Sequence, residues 1–464
     1  MFCLTGFCVY VSTVISVIGA AGHSEVSFQR TLTEKEIADV DFDSWLPESV
    51  TVSPDGRRFA YVDSGLGRGI VFVDGKASKP YDGIGVGIVF SPDSRRVGYA
   101  AMQEGKWYVV TDSTTYGPYE RLIPPITFSP DSRRIAFIVS LSGNGECVVL
   151  DGTAQTEYPK CRNAIFSPNG SRLAYAVETS DGWSVVLDGQ KGRNYRDISS
   201  SSLKFSPDGR RFGYVAWFGE RNPEFVVIDG TEYDGMTNFV FSPDSKRIAY
   251  TKWVGDVGGD IAVVVDNSVG DTYSDIRLGR VFSANSEHFA YVGILRDGEE
   301  VAVSDGKPGT AYDGIDLVFS PDGYRLALGV LLGQKARVVL DGIEGPTFDF
   351  LGDKSIVFSP DAKRLAYVGG LGEQMFVVLD GKEGKHYDGV QTAPAFSPDS
   401  RHVAYQALSG NSRFVVVDEH EGNPIDGSLK GSTIIWDSAT QFHYLTVRGE
   451  RVCLIEETLE FNGK

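Results

Sequence analysis

The sequence predicts an all-β protein, a β-propeller built from about eleven four-stranded repeats of about 38 residues. The first supporting observation is a short motif, Phe-Ser-Pro-Asp followed by cations, that returns along the whole chain. The second is that the runs between its copies are short, rich in Val, Ile, Phe and Tyr, and bounded by Pro, Gly, Asp or Asn, as strands are. Composition agrees: the 464 residues include 54 Gly and 12% aromatic residues, without long stretches of helix formers.

Each repeat contains the motif, an apolar run ending in Tyr, a variable loop, "VVLDG" and finally "YDGI" or a relative. This order predicts four strands: a short one ending at Phe-Ser, one through Ile-Ala-Tyr, one through Val-Val-Leu and a short outer one at Tyr-Asp-Gly-Ile. Such a unit cannot bury both faces alone, but it can by stacking radially on its neighbours. The motif serine or its equivalent stands at Ser53, Ser91, Ser129, Ser167, Ser206, Ser242, Ser283, Ser320, Ser359 and Ser397, with a degenerate eleventh copy around Trp436-Asp437.

The "SPDG" and "SPDS" turns, followed by "RRxAY" and "VVxDG", resemble the WD-repeat-like propeller repeats of TolB-type periplasmic proteins and of the propeller domains attached to prolyl-oligopeptidase-type hydrolases. The resemblance covers roughly residues 50–457. It implies the propeller fold. It implies little about activity, because such repeats serve scaffolds, receptors and a few enzymes.

Eleven repeats exceed the four to eight blades with which propellers typically close. Two packed rings, of five and six blades with a division near residue 240, are therefore favoured. One wide ring is the alternative, since no linker rich in Pro, Ser or Gly interrupts the series and the one notable irregularity is the weakened seventh copy, "FSANSEHFAY" at 282–291.

The acid and the second cation of the motif are predicted to be structural, because chemistry would require them once and they occur in nearly every repeat. A side-chain oxygen of Asp or Asn can close the turn by accepting backbone N–H groups. An Arg can bond carbonyls or a carboxylate of the next blade. The predicted structural residues are Asp55, Arg58, Asp93, Arg96, Asp131, Arg134, Asp208, Arg211, Asp244, Arg247, Asp322, Arg325, Asp361, Arg364 and Asp399.

The first 22 residues carry no charged side chain, and polar residues begin directly after them. This pattern predicts a signal peptide at 1–22, a lead-in segment at 23–49 and propeller repeats at 50–464, in a secreted or periplasmic protein. An uncleaved anchor is the alternative. No later stretch approaches the 18 or so apolar residues of a membrane span. The net charge of −18 argues against nucleic acid or anionic lipid as the main partner.

The sequence contains no motif that indicates catalysis. The six histidines form no HxH or HExxH pair, and neither a GxSxG elbow nor a phosphate-binding loop is present. The acids that follow "VVL" are spread one per hairpin, which favours turn structure over a calcium site. No catalytic residue, metal or cofactor is therefore predicted, and whether the protein is an enzyme stays open.

Two cysteines allow a specific hypothesis. Cys147 lies four residues before Asp151 in the third strand of its repeat, and Cys161 ends "YPKC". If the turn between them centres near Ala154, the two lie opposite each other on a hairpin, close to the reach of a disulfide. Two separately buried thiols are the alternative.

The turns between the first and second strands are nearly invariant, whereas the loops between the second and third strands differ in every repeat. This difference predicts that recognition belongs to the variable loops. The most distinctive residues there are Trp217, Phe218, Glu220, Arg221 and Trp253, a group typical of interaction hot spots, with packing between blades as the alternative. The favoured function is a non-catalytic exported scaffold for a protein or peptide partner. The other possibility is a propeller enzyme or a carbohydrate-binding lectin that uses the central channel.

Overall fold

A computed structural model of the chain describes residues 12–16, 28–85, 87–112, 114–141, 145–219, 224–235, 238–255, 259–279 and 282–461. The predicted fold class is confirmed: the strands form eleven antiparallel sheets, one for each repeat, with four strands to a blade and a fifth, Ser12–Ser16, in blade 11. The first strand of some blades is split in two. The two described helices, Pro47–Ser49 and Gly65–Gly67, have three residues each, so the described part of the chain has no helix that could span a membrane.

The chain separates into two compact units, of which unit 2 comprises Tyr81–Gly333. It holds blades 2 to 7 and the first two strands of blade 8. Blade 2 consists of a first strand split into Gly83–Ile84 and Val89–Phe90, followed by Val97–Gln103, Lys106–Thr111 and Thr115–Tyr119. Blade 3 consists of Arg121–Phe128, Ile135–Ser140, Cys147–Leu150 and Thr153–Ala154. Blade 4 consists of Cys161–Phe166, Leu173–Thr179, Gly182–Leu187 and Gln190–Tyr195. Blade 5 consists of Asp197–Phe205, Phe212–Trp217, Phe225–Ile228 and Thr231–Asp234, and blade 6 of Phe239–Phe241, Ile248–Val254, Asp260–Val265 and Ser268–Tyr273. Blade 7 consists of Asp275–Arg277, Ala290–Ile294, Glu300–Ser304 and Lys307–Tyr312. The first two strands of blade 8 are Gly314–Phe319 and Leu326–Leu332.

Unit 1 comprises Met1–Pro80 and Gln334–Lys464. It holds blade 1, the last two strands of blade 8, and blades 9 to 11. Blade 1 consists of Thr51–Val52, Phe59–Asp63, Ile70–Val73 and Lys76–Ala77. The last two strands of blade 8 are Lys335–Leu340 and Ile343–Phe348. Blades 9 and 10 consist of Phe350–Leu351 with Val357–Phe358, Leu365–Leu371, Gln374–Leu379 and Lys382–Glu383; and Gly389–Val390 with Ala395–Phe396, Val403–Ser409, Ser412–Val417 and His420–Glu421. Blade 11 consists of Gly427–Ser428 with Ile435–Trp436, Gln441–Arg448, Arg451–Phe461, Phe28–Asp39 and Ser12–Ser16.

The fourth strand of a blade lies earlier in the repeat than the sequence predicts. Tyr195 ends the fourth strand of blade 4, and Asp197 already begins the first strand of blade 5. In blade 4 the "YDGI" segment is therefore the crossing between blades rather than an outer strand, whereas in blade 5 Tyr233 and Asp234 still belong to the fourth strand. Its tyrosine explains the position of this break, because the ring of Tyr195 packs edge-on against Tyr214 of the next blade, with ring centres 5.9 Å apart.

The hydrophobic core lies between adjacent blades. One buried cluster, for example, contains Ala174 and Trp183 of blade 4 together with Ile198 and Tyr214 of blade 5. Blades 4 and 5 thus bury their facing sides against each other, as radial stacking of four-stranded repeats requires.

Adjacent blades stay in contact across residue 240, where a division between two rings is predicted from the sequence. Blade 5 packs on blade 6 across this point as other blades do on their neighbours: the backbone N–H of Asp208 donates to Ser245 Oγ at 3.0 Å, and the Arg211 guanidinium lies 5.3 Å from the centre of the Phe241 ring. The equivalent motif residues form the junction between blades 6 and 7, where the N–H of Asp244 donates to Ser286 Oγ at 2.9 Å.

The second cation of the motif joins adjacent blades. In blade 6, Arg247 Nε donates to Asp266 Oδ2 of its own blade at 2.6 Å, and its Nη1 donates to the carbonyls of Ser286 and Glu287 in blade 7 at 3.0 and 3.1 Å. The guanidinium also lies over Phe282 of blade 7, 5.1 Å from the ring centre. Planar donors that reach a carboxylate and two carbonyls together suit Arg far better than Lys.

We expect Arg247→Ala to lower the free energy of unfolding by about 2 kcal/mol, since the substitution removes several hydrogen bonds made by a charged group. Arg247→Lys should recover less than half of this loss, because an ammonium cannot make the forked contacts. Urea unfolding monitored by Trp fluorescence measures both. The neighbouring Lys246, whose side chain is 83% exposed, provides the matched control. Equal losses for Lys246→Ala and Arg247→Ala would contradict the role of Arg247 as a link between blades.

Blade 11 is completed by a strand from the start of the chain. Phe28–Asp39 pairs antiparallel with Arg451–Phe461 along almost its full length and is the fourth strand of this blade. Part of the predicted lead-in segment at 23–49 is therefore a strand of the propeller. Of the predicted signal peptide at 1–22, only Ser12–Ser16 is described, as a strand paired with Gln29–Thr33; the rest lies outside the described residues.

The predicted hairpin with Cys147 opposite Cys161 does not form. Glu146 pairs with Tyr158, so the outer segment ends before Cys161, which instead begins the first strand of blade 4. Both thiols are free and buried in different clusters, as in the alternative of two separately buried thiols. Burial raises the pKa of the Cys161 thiol to about 12.

Candidate functional site

The turns between first and second strands define the turn face of each blade, and their polar groups bond mainly to one another. In blade 5, Ser206 Oγ donates to Asp208 Oδ1 at 2.6 Å and accepts the N–H of Arg211 at 2.9 Å. Asp208 Oδ1 also accepts the N–H of Arg210 at 2.9 Å. Asn169 replaces the acid in blade 4 and keeps the bond from Ser167 Oγ, at 2.7 Å. The carboxylate charge is therefore dispensable to this turn, and the repeated serines and acids are occupied within it.

The hairpins between second and third strands, together with the start of the following first strand, define the loop face. The acid of "YDGI" holds many of these hairpins in place. Asp82 Oδ2 accepts the N–H of Glu104 at 2.7 Å in unit 2, and Asp388 Oδ2 accepts the N–H of Gly410 at 2.6 Å in unit 1. The loops are thus variable in sequence but anchored at their bases, which is how a rigid scaffold presents recognition residues.

Exposed apolar side chains concentrate on the loop face. Nine large apolar residues of the described chain are exposed, and six of them lie at this end of their strands. They are Leu141, Val254, Leu331 and Leu332 in unit 2, and Phe350 and Leu371 in unit 1. Leu332 is 52% exposed and directly precedes the hairpin at Gly333. Apolar residues scattered singly need no explanation, but Leu331 and Leu332 of unit 2 are exposed in direct succession, and an exposed apolar patch is typical of contact surfaces.

The structure places the predicted interaction residues separately. Trp217 ends the second strand of blade 5 and is half-buried, with its carbonyl accepting the N–H of Arg196 at 2.9 Å. Trp253, also half-buried, lies in the second strand of blade 6 opposite Ile261. Among the ring contacts of the described residues, none joins the two tryptophans. Glu220 and Arg221 lie outside the described residues.

Phe218 fills the junction between blades 4 and 5. Its ring lies 5.0 Å from Tyr195 and 5.7 Å from Phe225, and the Arg193 guanidinium lies 4.6 Å from its centre. These contacts match the packing alternative for this residue. The sequence signal that was missed is the exposed pair Leu331-Leu332, which could have been noticed as two apolar residues in direct succession before a hairpin glycine.

The histidines do not assemble a catalytic or metal centre within the described residues. Those in motif positions are paired with the acid of their own hairpin: His288 Nδ1 lies 2.7 Å from Asp305 Oδ2, and His402 Nδ1 lies 2.6 Å from Asp418 Oδ2. These two occupy the place of the linking arginine. No group of three or more His, Cys, Asp or Glu side chains in the described part of the chain has the geometry to hold a metal ion.

Comparison with known proteins shows similarity in fold. No protein-family model and no curated protein matches the chain. Among solved structures, TolB from Acinetobacter baumannii is 12% identical over 78% of this chain and 80% of its own, with a TM-score of 0.21. The β-propeller domain of the Trilobed protease from Pyrococcus furiosus is 17% identical over 57% and 99%, with a TM-score of 0.28. The Dos1 propeller is 11% identical over 82% and 92%, with a TM-score of 0.31. None of these likenesses extends to function.

Proposed function

We propose that the protein is a non-catalytic, exported β-propeller scaffold that binds a protein or peptide partner through its loop face. The observation that supports this proposal is the concentration of exposed Leu, Val and Phe side chains at the loop end of the blades, while the serines and acids of the turn face are bonded internally. Water is released when such apolar groups are covered by a partner, and this release favours association.

The two half-buried tryptophans would be the anchors of this contact. Trp217 ends a strand at the loop face, and Trp253 immediately precedes Val254, which is 39% exposed. A half-buried Trp ring has few rotatable bonds and loses little side-chain entropy on binding, and Trp is enriched in interaction hot spots. Glu220 and Arg221, which follow Trp217 by three and four residues in the sequence, would supply polar groups to the same contact.

Export is part of the proposal, and its support is the uncharged segment at 1–22 followed by polar sequence. A secreted or periplasmic location places the partner in the cell envelope or outside the cell. The partner should therefore be sought among envelope and secreted proteins.

We expect a partner retained from the native envelope or secreted fraction by the wild-type protein to be recovered about tenfold less by Trp217→Ala/Trp253→Ala, since loss of hot-spot rings costs at least 1–2 kcal/mol of binding. A second variant, Leu331→Ser/Leu332→Ser, should show a similar loss. Affinity capture followed by quantitative mass spectrometry measures both.

The matched control is Arg133→Ala/Arg210→Ala on the turn face, where the side chains are 85% and 87% exposed. This variant should retain the partner at the wild-type level. Recovery of every specific partner in equal amounts by both loop-face variants would refute the proposed surface.

A further inference from the structure

The weakened seventh repeat forms one wall of an open pocket in unit 2. The pocket has a volume of about 410 Å³ and lies at the turn-face end of the first strands of blades 6, 7 and 8. Its walls are apolar: the rings of Phe241, Phe282 and Phe319 line it together with Pro243, Pro321 and Ala284. The wall residue Ser320 offers no free hydroxyl, because its Oγ donates to Asp322 Oδ1 at 2.5 Å and accepts the N–H of Arg325 at 2.9 Å.

Departures of the seventh repeat from the motif leave the space. Ala284 stands where blades 6 and 8 have Pro243 and Pro321, so one ring is missing from the wall. Gly279, in the same repeat, also lines the pocket, and a Cβ atom added there would meet nothing within 4 Å. The pocket thus lies where Ala284 and Gly279 of the seventh repeat leave space unfilled.

The turns of blades 7 and 8 that contribute to the pocket differ in charge from other turns. The first cation of the motif is Arg95, Arg133, Arg210 and Lys246 in blades 2, 3, 5 and 6, but the same position holds Glu287 in blade 7 and Tyr324 in blade 8. Glu287 is exposed, on the same tight turn as Ala284, and its Oε2 accepts a bond from Asn285 Nδ2 at 3.3 Å. Tyr324 is 65% exposed, with its ring centre 6.1 Å from that of His288.

We propose that this pocket is a second binding site, which takes one large apolar side chain of an extended peptide segment whose neighbouring residue is Lys or Arg. The volume lies within the range of small-ligand sites and exceeds what one aromatic side chain needs. Among the described residues, the lining contributes no charged side chain, which favours an apolar inserted group. Glu287 stands three residues after the lining residue Ala284 and replaces the cation of other blades, so it is complementary to a basic residue beside the inserted group. The site lies at the opposite end of the strands from the loop face and is independent of it.

The test is selection of a random dodecapeptide phage library on the immobilised full-length chain. We expect the enriched peptides to share an aromatic or branched aliphatic residue adjacent to Lys or Arg. Ala284→Pro should reduce their recovery about tenfold by narrowing the pocket, and it should leave the fold intact because Pro occupies the same turn position in blades 6 and 8. Gly279→Trp should have the same effect by filling the pocket, and Glu287→Arg should select against the basic residue.

Asn169→Asp is the matched control, since it restores the motif in blade 4, away from the pocket, and should leave recovery unchanged. The proposal is overturned if no peptide is enriched, if the enriched peptides lack the apolar and basic pair, or if Ala284→Pro and Gly279→Trp bind them as the wild type does. If the enriched peptides instead fail to bind the Trp217→Ala/Trp253→Ala variant, they bind at the loop face. That result would support the proposed function and overturn the pocket as a second binding site.

Discussion

Replacing Arg30 by Ala is expected to lower the free energy of unfolding by about 3–5 kcal/mol, because it leaves a carboxylate buried without its partner. Arg30 is 0% exposed in blade 11. Its Nε donates to Glu457 Oε2 at 2.7 Å, and its Nη1 donates to the carbonyls of Val415 and His420 in blade 10, each at 3.0 Å. Tyr444 completes the network by donating its hydroxyl to Glu457 Oε1 at 2.9 Å. Equilibrium urea unfolding of purified full-length protein measures the change.

The double variant Arg30→Met/Glu457→Gln separates the cost of an unpaired charge from the loss of packing. It should be more stable than Arg30→Ala, because both buried charges are absent and the methionine keeps much of the apolar volume. Arg451→Ala is the control: this residue pairs with Glu36 between the same two strands, but its side chain is 53% exposed, so a change within about 0.5 kcal/mol is expected. Additive effects of the Arg30 and Glu457 substitutions would show that the two side chains do not act as a pair.

The importance of Arg30 could not be predicted from the sequence, although the repeats could. The repeated motif specifies blades because each copy makes the same local turn and the same contact with the next blade. Phe28–Asp39 carries no copy of that motif, and its partner Arg451–Phe461 is more than 400 residues away in the chain. A pairing so distant leaves no periodic signal, apart from the alternation of buried and half-buried residues at 28–32 that any strand with one buried face would show.

Local register was predictable only where the turn residues determine it. The turn at Ser206-Pro207-Asp208 was located correctly, because its side chains close it by themselves. The crossing at Tyr158–Cys161 was not, because the aromatic residue that ends the outer segment and the residue that begins the next blade belong to one continuous motif. For the candidate surface, the sequence predicts the face of the blades but not which of its residues are buried or exposed. Loop variability indicates the face, but the partial burial of Phe218 depends on Tyr195 of the preceding blade, which no local pattern indicates.

The turn acids share an electrostatic property that affects the whole chain. In each of six turns, a hydrogen bond from the motif serine, supported by a backbone N–H, holds the pKa of the Asp below its ordinary value of 3.8. These residues are Asp93, Asp131, Asp208, Asp244, Asp322 and Asp361. In the unfolded chain these bonds are lost, so the unfolded state binds protons at a higher pH than the folded state does. The stabilisation is therefore complete above the ordinary pKa of Asp and is lost as the pH falls through the lowered values.

We expect the thermal midpoint of the wild type to fall steeply as the pH drops below about 4. In a variant with Asn at all six positions, the thermal midpoint should fall much less over the same pH range. Asn169 and Asn285 show that the turn accepts an amide, since Ser167 Oγ and Ser283 Oγ donate to their Oδ1 atoms at 2.7 and 2.6 Å. The control changes the same number of charges at six exposed acids outside these turns, as Glu104→Gln, Asp181→Asn, Asp271→Asn, Glu299→Gln, Glu373→Gln and Glu450→Gln. It should keep the steep acid limb, because net charge alone is altered. If both sextuple variants flatten the limb equally, general charge repulsion governs acid unfolding, and the serine bonds contribute nothing to it.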